Sequence, residues 1–370
     1  MKIASYNLEN LFLRPVAMNG KTLADGKDAL KAHADLNAVL AKVTYSAADK
    51  KRIVDLLKKL KLEKSDDGGP FALLRQNKGD LIKRPKNKPI EVVANGRADW
   101  IGWVELKREE VDEVATRNTA RVINEIDADI LGLIEAESRP ALVRFSQNVI
   151  GAALGGTPYA HAMLIDGNDD RGIDVGLYTR QGFDIASMCS HVDDVDPKGR
   201  VFSRDCAQYE IRTPSGKLVH VLVNHFKSKG FGNAQDSNER RRRQAVRVKE
   251  IYNALRQNHE LVAVLGDLND TPDSAPLAPM MTETDMKDVS EHANFVSDGR
   301  PGTYKNGTAG NKIDYVLLSP ALFAKVTSGG IFRKGVWGGT NGTLFPHYPE
   351  ITRESEAASD HAAIWAEIAI

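Results

Sequence analysis

The 370-residue sequence has few of the features that define specialised protein classes. It contains only two cysteines, Cys189 and Cys206. Two are too few for a disulfide framework or a cysteine-built zinc site. No run approaches the roughly 18 consecutive apolar residues of a membrane-spanning helix. The start of the chain, from Met1 to Asn7, also lacks the long apolar stretch of a secretory signal, so the sequence predicts a cytoplasmic protein without a membrane span.

A net charge is absent as well, because 50 Lys and Arg residues balance 50 Asp and Glu residues. A protein that binds nucleic acid through bulk charge would be basic. Any phosphate contact is therefore expected from a local group of basic residues or from a metal ion. Hydrophobic residues make up 42% of the chain, which is enough at this length to bury a large core without a structural metal.

Strand and helix patterns alternate over most of the chain. Apolar strand patterns are interspersed with amphipathic helix patterns, and the run at residues 129–135 is apolar enough to be buried on both faces. The predicted strands lie at residues 2–6, 129–135, 159–165, 174–178, 185–189, 207–212, 218–226, 261–265, 313–318 and 362–370, and the predicted helices at 111–126, 139–150 and 236–255. This order predicts two packed sheets with helices outside them.

Residues 14–112 differ from the rest, being rich in lysine and poor in strand-like runs. Ser46 and Asp49 form a capping-box pattern, and apolar residues at helical spacing follow. We interpret this stretch as an inserted, mainly helical subdomain within a single domain spanning residues 1–370. It also carries Trp100 and Trp103, which either anchor a core or stack on the bases of a single strand.

Polar residues recur where the predicted apolar strands end. They are Asn7, Glu135, Asn224, His225, Asp267, Asn269, Asp314, Asp360 and His361. Strand ends are places where a rigid scaffold presents converging side chains to a cleft. Carboxylates, amides and histidines without cysteine suit a hard cation such as Mg²⁺ or Mn²⁺.

Such a group of residues meets the needs of phosphoester hydrolysis. The phosphate requires charge neutralisation, the attacking water must lose a proton, and the leaving oxygen must be stabilised. A metal held by Glu135 would neutralise the phosphate charge and stabilise the leaving oxygen. An aspartate would take the proton from the attacking water. Histidine can donate a proton to a phosphoryl oxygen.

Seven short motifs occur in a characteristic order. They are SYNLEN (5–10), DILGLIE (129–135), DRGIDV (170–175), NHFKSK (224–229), GDLND (266–270), IDYV (313–316) and SDH (359–361). In this order they resemble the endonuclease/exonuclease/phosphatase superfamily, the fold of pancreatic deoxyribonuclease and the abasic-site endonucleases. The resemblance covers residues 1–12 and about 112–370. It implies a four-layered α/β sandwich of two packed, mainly antiparallel sheets flanked by helices.

The resemblance also assigns a metal site and a water-activating residue. Glu135 would be the principal metal ligand, with Asn7 and Asp360 beside it. The site would hold one or two Mg²⁺ or Mn²⁺ ions. Asp267 would orient or deprotonate the attacking water, and Asn269 would hold a phosphate oxygen.

Further residues are assigned to the phosphate by the same resemblance. His361 would stabilise the pentavalent phosphate, and Asp314 would fix the orientation of a histidine. His225 matches the family's other histidine, and Arg171 matches a position that contacts the scissile phosphate in some members. Asn224 and Lys227, which flank this motif histidine, are predicted to meet the substrate phosphate.

A second basic feature lies on the helix predicted at residues 236–255. Arg240, Arg243 and Arg247 share one face, which either lines a phosphate backbone or is a solvated surface. Members of the family often place an arginine and a glutamine beneath the site in this region. The resemblance therefore makes Arg243 or Gln244 a candidate for that position.

The resemblance implies a metal-dependent phosphodiesterase in which an activated water attacks phosphorus in line. DNA or RNA is the predicted substrate. A small phosphorylated molecule or a lipid headgroup is the alternative, since the same core serves both. A non-catalytic phosphate-binding module is a third possibility, but such a relic would have lost one of Glu135, Asp267, Asn269 and His361, and all are present. No protein partner is inferred.

Overall fold

The computed structural model describes residues 1–9, 13–18, 24–110, 112–230 and 233–370. Asn10, the last residue of the first motif, lies outside these ranges. The chain falls into two compact units, Met1–Phe12 with Val111–Ile370 and, between them in sequence, Leu13–Glu110. Among the described residues, no helix combines the length and the apolar character that a membrane crossing requires.

In the described part of the larger unit, the main strands form two sheets, of seven and six strands. In spatial order, the first sheet consists of Phe295–Val296, Val326–Phe332, Ala363–Ile368, Lys2–Asn7, Ile130–Ala136, Asp174–Thr179 and His161–Leu164. The second consists of Asp184–Cys189, Cys206–Arg212, Leu218–His225, Val262–Asp267, Asp314–Leu318 and Lys287–Asp288. Most neighbouring strands are antiparallel, but three described pairs are parallel: Lys2–Asn7 with Ile130–Ala136, Phe295–Val296 with Val326–Phe332, and Leu218–His225 with Val262–Asp267.

Four α-helices described in this unit cover the outer faces of the sheets: Glu113–Ile126, Arg139–Arg144, Ala234–Arg256 and Ala278–Met281. A fifth, Pro320–Phe323, packs Leu322 and Phe323 into the apolar cluster between the sheets. A π-helical segment, Phe145–Ala153, continues the second of them directly. A short hairpin pairs Val195–Asp196 with Gly199–Arg200.

The layers follow from the alternation of side chains along each strand. In the strand Ile130–Ala136, Ile130 packs in the cluster between the two sheets, whereas Leu131 and Leu133 pack against the helix Glu113–Ile126. On the far side, the second sheet packs against the helix Ala234–Arg256. The predicted sandwich of two mainly antiparallel sheets with helices outside is therefore confirmed.

The observed elements extend or shift several predicted ones. The helix predicted at residues 236–255 spans Ala234–Arg256, and Asn233 caps its first turn by accepting from the Asp236 backbone N–H. The strand Val326–Phe332 is not predicted, because its Thr-Ser-Gly-Gly centre interrupts the apolar alternation.

The smaller unit has its own hydrophobic core beneath the helices Ala24–Leu40 and Ala47–Lys59. The predicted capping box is present: Asp49 N donates to Ser46 Oγ over 3.2 Å, and Ser46 N donates to an Asp49 carboxylate oxygen over 3.1 Å. Trp100 is buried in this core and donates from Nε1 to the Tyr45 hydroxyl over 3.1 Å. Trp100 is therefore a core anchor.

Short two-stranded sheets complete the described part of the smaller unit. They pair Leu13–Pro15 with Arg108–Glu110, Ala72–Lys78 with Ile101–Leu106, and Ile82–Lys83 with Glu91–Val92. The sequence indicates a helical insertion but does not reveal these strands. Most of them are short or rich in polar residues, and Ile101–Leu106, which is neither, is not predicted either.

Candidate active site

Four central strands bring polar side chains to one edge of the two sheets. Asn7 is the last residue of its strand and pairs with Ile134 of the parallel neighbour, directly before Glu135. In the second sheet, His225 and Asp267 end two parallel strands and are register partners. Because parallel strands present their carboxyl ends at the same edge, these side chains converge as the sequence predicts.

The backbone bends sharply where these strands end. Glu9, Glu135 and Asn269 have φ angles of 49°, 63° and 54°, in the left-handed region that residues with side chains seldom adopt. Glu135 is the extra residue of a β-bulge, since Ala136 pairs with Asp174 and Ile134 with Val175. A bulge redirects a side chain, and backbone strain of this kind is concentrated at functional sites.

Asp267 lies at the centre of the group. Its Oδ2 accepts a hydrogen bond from Asn7 Nδ2 over 3.1 Å and lies 3.7 Å from His225 Nε2. Its Oδ1 accepts from the backbone N–H of Asn269 over 2.8 Å. The same His225 Nε2 lies 3.8 Å from Glu135 Oε1, so one histidine joins the two carboxylates.

Asp314 and His361 form a buried pair beside Asp267. His361 Nδ1 donates to Asp314 Oδ2 over 2.8 Å, and the Thr303 hydroxyl donates to the same oxygen over 2.6 Å. These bonds direct His361 Nε2 to within 4.0 Å of Asp267 Oδ2 and 3.7 Å of Asp360 Oδ1. The predicted orienting role of Asp314 thus has a matching geometry.

Electrostatics separate the two histidines. Burial, and then the charges of Arg204 and Arg171, hold the pKa of His225 well below its usual range. Burial alone would lower the pKa of His361, but the Asp314 carboxylate and its hydrogen bond raise it well above that range. Paired titratable groups with diverging pKa values are typical of sites that divide acid and base roles.

A cationic group lies near His225. Both carboxylate oxygens of Asp169 accept from Arg171, over 2.8 and 2.6 Å, and one of them lies 3.1 Å from a guanidinium nitrogen of the buried Arg204. Burial, and then Arg204, lower the pKa of Lys227 to about 8. Asp169 therefore holds two guanidinium groups near the candidate site.

Asn224 is not brought into this group. Because side chains alternate along a strand, Asn224 points to the face opposite His225. On that face the neighbouring Leu222 packs against the helix Ala234–Arg256, and Asn224 itself pairs in register with Cys206. The expected contact between Asn224 and the substrate phosphate therefore has no support in the geometry.

Two of the three arginines on the predicted face of the long helix are engaged within the protein. Arg243 donates to both carboxylate oxygens of Asp196, and Arg247 Nε donates to Asp194 over 2.7 Å. Of the two candidates for the position beneath the site, Gln244 fits: its Oε1 accepts from the backbone N–H of Lys227 over 2.9 Å. Hence this face does not offer Arg243 and Arg247 freely to a phosphate backbone.

Several further residues support the site without having been predicted. They are Glu9, Asp169, Arg204, Thr303 and Ser359. Ser359 Oγ donates to the carbonyl of Asn7 over 2.8 Å and accepts from His361 N over 3.0 Å, while Glu9 accepts from Asp360 N over 2.9 Å. Glu9, Asp169 and Ser359 lie within or beside the seven motifs, whereas Arg204 and Thr303 have no signal in a single sequence.

The donor set fits a hard divalent cation. Carboxylate and amide oxygens predominate, and Asp314 Oδ1 is buried without a hydrogen bond from any described residue. Ligand atoms of Asp267, Asp314 and His361 lie within 4.8 Å of one another. Burial, and then the neighbouring Asp314 carboxylate, raise the pKa of Asp267. A bound cation would relieve this crowding of carboxylates and favour the ionised form.

Comparisons with known proteins show the family and the fold. The sequence model of the Endonuclease/Exonuclease/phosphatase family matches residues 75–336. A mannosyl-6-phosphatase from Bacteroides thetaiotaomicron superposes with a TM-score of 0.51 at 17% identity, covering 70% of this chain and 92% of its own. A family protein from the same organism superposes with a TM-score of 0.50 at 17% identity, covering 68% and 86%. No curated protein matches the chain by sequence.

Because the family's sequence model spans most of the chain and the fold is shared with its solved members, the protein belongs to the Endonuclease/Exonuclease/phosphatase family of phosphoester hydrolases.

Proposed function

We propose that the protein is a divalent-metal-dependent phosphodiesterase that cleaves its substrate by in-line attack of an activated water. The observation that supports this best is the buried meeting of Asp267 with Asn7, His225 and His361, flanked by Glu135. A purely structural role would not require three strained backbone positions at one edge.

Glu135, Asn7 and Asp360 are the proposed metal ligands. The 2.8 Å hydrogen bond engages His361 Nδ1 and Asp314 Oδ2 with each other, which favours the first three residues for the cation. A bound Mg²⁺ or Mn²⁺ ion would neutralise phosphate charge and stabilise the leaving oxygen.

Asp267 is the proposed proton acceptor for the attacking water. Asn7 and the backbone N–H of Asn269 fix its carboxylate by hydrogen bonds of 3.1 and 2.8 Å. A base held on both oxygens keeps one orientation, which is what general-base catalysis requires. Asn269, whose Nδ2 donates to the carbonyl of Phe226 over 3.2 Å, is positioned to hold a phosphate oxygen.

The remaining residues are proposed to bind the phosphate. His361, fixed by Asp314, would stabilise the negative charge that develops on the phosphoryl oxygens. His225, Arg171 and Lys227 would contact those oxygens from the opposite side, with Asp169 holding Arg171 in place. Charge-assisted hydrogen bonds of this kind act most strongly in a water-poor site.

Nucleic acid is the proposed substrate, since the cationic group around Asp169 is suited to a phosphodiester backbone. A small phosphoester is the second candidate, and the ion pairs that engage Arg243 and Arg247 favour it. The similar Bacteroides protein is named a mannosyl-6-phosphatase, which is consistent with this second candidate. The two candidates differ in salt dependence, because binding a polyanion releases counterions.

A cleavage assay tests the proposal. Purified protein with Mg²⁺ or Mn²⁺ is incubated with plasmid, a single-stranded oligonucleotide, bis(p-nitrophenyl) phosphate and p-nitrophenyl phosphate. We expect diester cleavage that EDTA abolishes and that Glu135→Gln reduces at least about 100-fold, since this substitution removes a metal ligand.

Glu283→Gln is the matched control, because Glu283 is a surface residue paired with Lys249. It should leave the rates unchanged. Cleavage that persists at full rate in Glu135→Gln would contradict the site assignment. If p-nitrophenyl phosphate alone is hydrolysed, the proposed diester cleavage is wrong and a small phosphoester becomes the proposed substrate.

A further inference from the structure

The neutral net charge of the chain conceals a strong asymmetry. The unit Leu13–Glu110 contains 21 Lys and Arg residues against 14 Asp and Glu residues, a net charge of +7. The rest of the chain therefore carries −7. A charge imbalance of this size between two parts of one protein is a sign that the basic part binds a polyanion.

Much of the excess charge lies on exposed lysines that form no ion pair with any residue the structure describes. Five of them define what we call the lysine patch: Lys61, Lys64, Lys83, Lys86 and Lys88. Other basic residues of this unit are neutralised, such as Lys31 by Asp35 and Lys51 by Asp55, both at helical spacing. The lysine patch therefore differs from an ordinary solvated helix face.

Arg84 brings the two segments of the lysine patch together. Its guanidinium donates to the backbone carbonyls of Leu62 and Glu63, over 2.9 and 3.1 Å, and to Asp66 Oδ1 over 2.6 Å. Residues 83–88 are thus held against residues 61–66.

Few carboxylates offset this charge locally. Glu63, Asp80 and Glu91 lie among or beside the two segments in sequence, and within the described ranges none of the three pairs with a lysine. Glu63 is partly buried, whereas Asp80 and Glu91 are exposed. Asp66 and Asp67 also lie here, but they are paired with Arg84 and Lys107. Three carboxylates without such a pair against five lysines leave a positive excess on this surface.

An exposed aromatic surface adjoins this region of the chain. In the hairpin of Ala72–Lys78 and Ile101–Leu106, Trp103 is 45% exposed and Ile101 is 53% exposed. The register partner of Trp103 is Arg75, which pairs with Glu105 over 2.9 Å, and that of Ile101 is Lys78, which forms no ion pair with any described residue. The solvent-facing side of the hairpin therefore carries apolar side chains next to one unneutralised lysine.

A side-chain contact links this hairpin to the lysine patch. Gln76, on the strand that carries Arg75, donates to both carboxylate oxygens of Asp66, over 3.2 and 3.1 Å. Asp66 also accepts from Arg84, which holds the two lysine segments together. Because side chains alternate along a strand, Gln76 lies on the face opposite Arg75 and Trp103. The contact therefore holds the hairpin next to the lysine segments, and a nucleic-acid strand that meets both Trp103 and the lysine patch would pass over the edge of the hairpin.

We propose that the unit Leu13–Glu110 binds single-stranded nucleic acid, with a base stacked on Trp103 and the phosphate backbone on the lysine patch. Aromatic rings on a sheet surface combined with a positive surface are the means by which single strands are bound without sequence preference. Every base offers a face for stacking, and only a single strand exposes it. This inference goes beyond the proposed catalytic function, because binding by this unit requires no metal and no cleavage.

Fluorescence anisotropy with a labelled oligothymidylate tests the proposal on the full-length protein in EDTA, where no hydrolysis occurs. We expect Trp103→Ala to weaken binding at least about fivefold and Trp103→Phe to restore most of it. Replacing Lys61, Lys64, Lys83 and Lys86 together by Ala should lower the slope of log affinity against log salt concentration by roughly 0.7 for each phosphate that is no longer bound.

The matched control replaces Lys31 and Lys51, which are ion-paired lysines of the same unit. These changes should leave oligothymidylate binding nearly unaltered. Hydrolysis of bis(p-nitrophenyl) phosphate by each variant with Mg²⁺ serves as a separate readout, so failure of the catalytic proposal is distinguishable from failure of this one.

Three results would overturn the proposal. The first is unchanged oligothymidylate affinity in both the tryptophan and the lysine variants. The second is equal affinity for duplex DNA with no effect of Trp103→Ala, which would show that no base stacks on the ring. The third is binding to anionic phospholipid vesicles without binding to the oligonucleotide.

Discussion

At the residue scale, Asp174 is a motif residue whose role is structural. It is buried at the start of its strand, where its Oδ1 accepts from the backbone N–H of Gly167 over 2.7 Å. Burial raises the pKa of Asp174 to about 7. The folded protein therefore holds a proton that the unfolded chain releases at lower pH.

Asp174→Asn should stabilise the protein in a pH-dependent way. As pH rises from about 4 to 7, Asp174 loses its proton in the unfolded wild-type chain but keeps it in the folded state. The free energy of unfolding of the wild type therefore falls over this range. Asparagine keeps the oxygen that accepts from Gly167 but cannot ionise. We expect no gain in the free energy of unfolding near pH 4 and a gain of at least about 2 kcal/mol at about pH 8.

Urea unfolding at both pH values measures this difference. Asp193→Asn, on the exposed surface, is the control for removing one carboxylate. A gain of the same size in acid and in mild base would show that the charge of Asp174 is not responsible.

Single residues were predictable from the sequence where a motif carried them. Glu135, Asp267 and His361 all lie at the expected strand ends and converge. Arg204 was not predictable, because its contact with Asp169 joins residues far apart in sequence. Asn224 lies on the other face of its strand from His225, since a motif records which residues are adjacent in sequence but not which side of the strand each one occupies.

At the scale of elements, the parallel pair Leu218–His225 and Val262–Asp267 positions His225 beside Asp267. Gly266 permits this pairing: its φ is 141°, and a Cβ atom there would lie 2.0 Å from the carbonyl oxygen of Asn224. Only glycine allows the two strands to approach so closely just before Asp267.

Gly266→Ala should therefore destabilise the protein severely. The clash is with backbone, which cannot rotate away, so we expect a loss of at least about 3 kcal/mol in the free energy of unfolding. Gly216→Ala is the matched control, because Gly216 also has a positive φ, of 79°, but a Cβ atom there would have no described atom within 4 Å. The Gly216→Ala variant should lose about 1 kcal/mol in the free energy of unfolding.

Chemical denaturation of both variants gives the comparison. Equal losses would show that backbone conformation alone, and not the close approach to Asn224, explains the need for glycine at position 266.

The long apolar strands were predictable because their hydrophobic runs are continuous. The β-bulge at Glu135 was not, because the extra residue appears only when the strand is paired with Asp174–Thr179. The strands of the smaller unit were missed for a related reason. Ile82–Lys83 and Glu91–Val92 have two residues each, too few for any periodicity to show.

At the scale of the whole molecule, the unit Leu13–Glu110 begins and ends at one place. Leu13–Pro15 pairs with Arg108–Glu110 in antiparallel register, so the chain leaves this unit beside the point where it enters. The unit also has a core of its own, built around Ile53, Leu57 and Trp100. Insertions with adjacent ends and separate cores are well tolerated by their hosts.

Replacing residues 16–107 by an Asn-Gly turn should therefore leave the larger unit folded. Asn-Gly closes a two-residue hairpin between Pro15 and Arg108, which are already paired. We expect cooperative thermal unfolding and unchanged hydrolysis of bis(p-nitrophenyl) phosphate, together with loss of oligothymidylate binding. An aggregated or unfolded product would show instead that the larger unit depends on the smaller one.

The paired strands at the base of this unit have a consequence for how the protein can evolve. Because both connections lie side by side, the segment between them can lengthen, shrink or be exchanged without shifting the register of the catalytic sheets. A recombination event at this hairpin would exchange the smaller unit as a whole while the two large sheets are inherited intact.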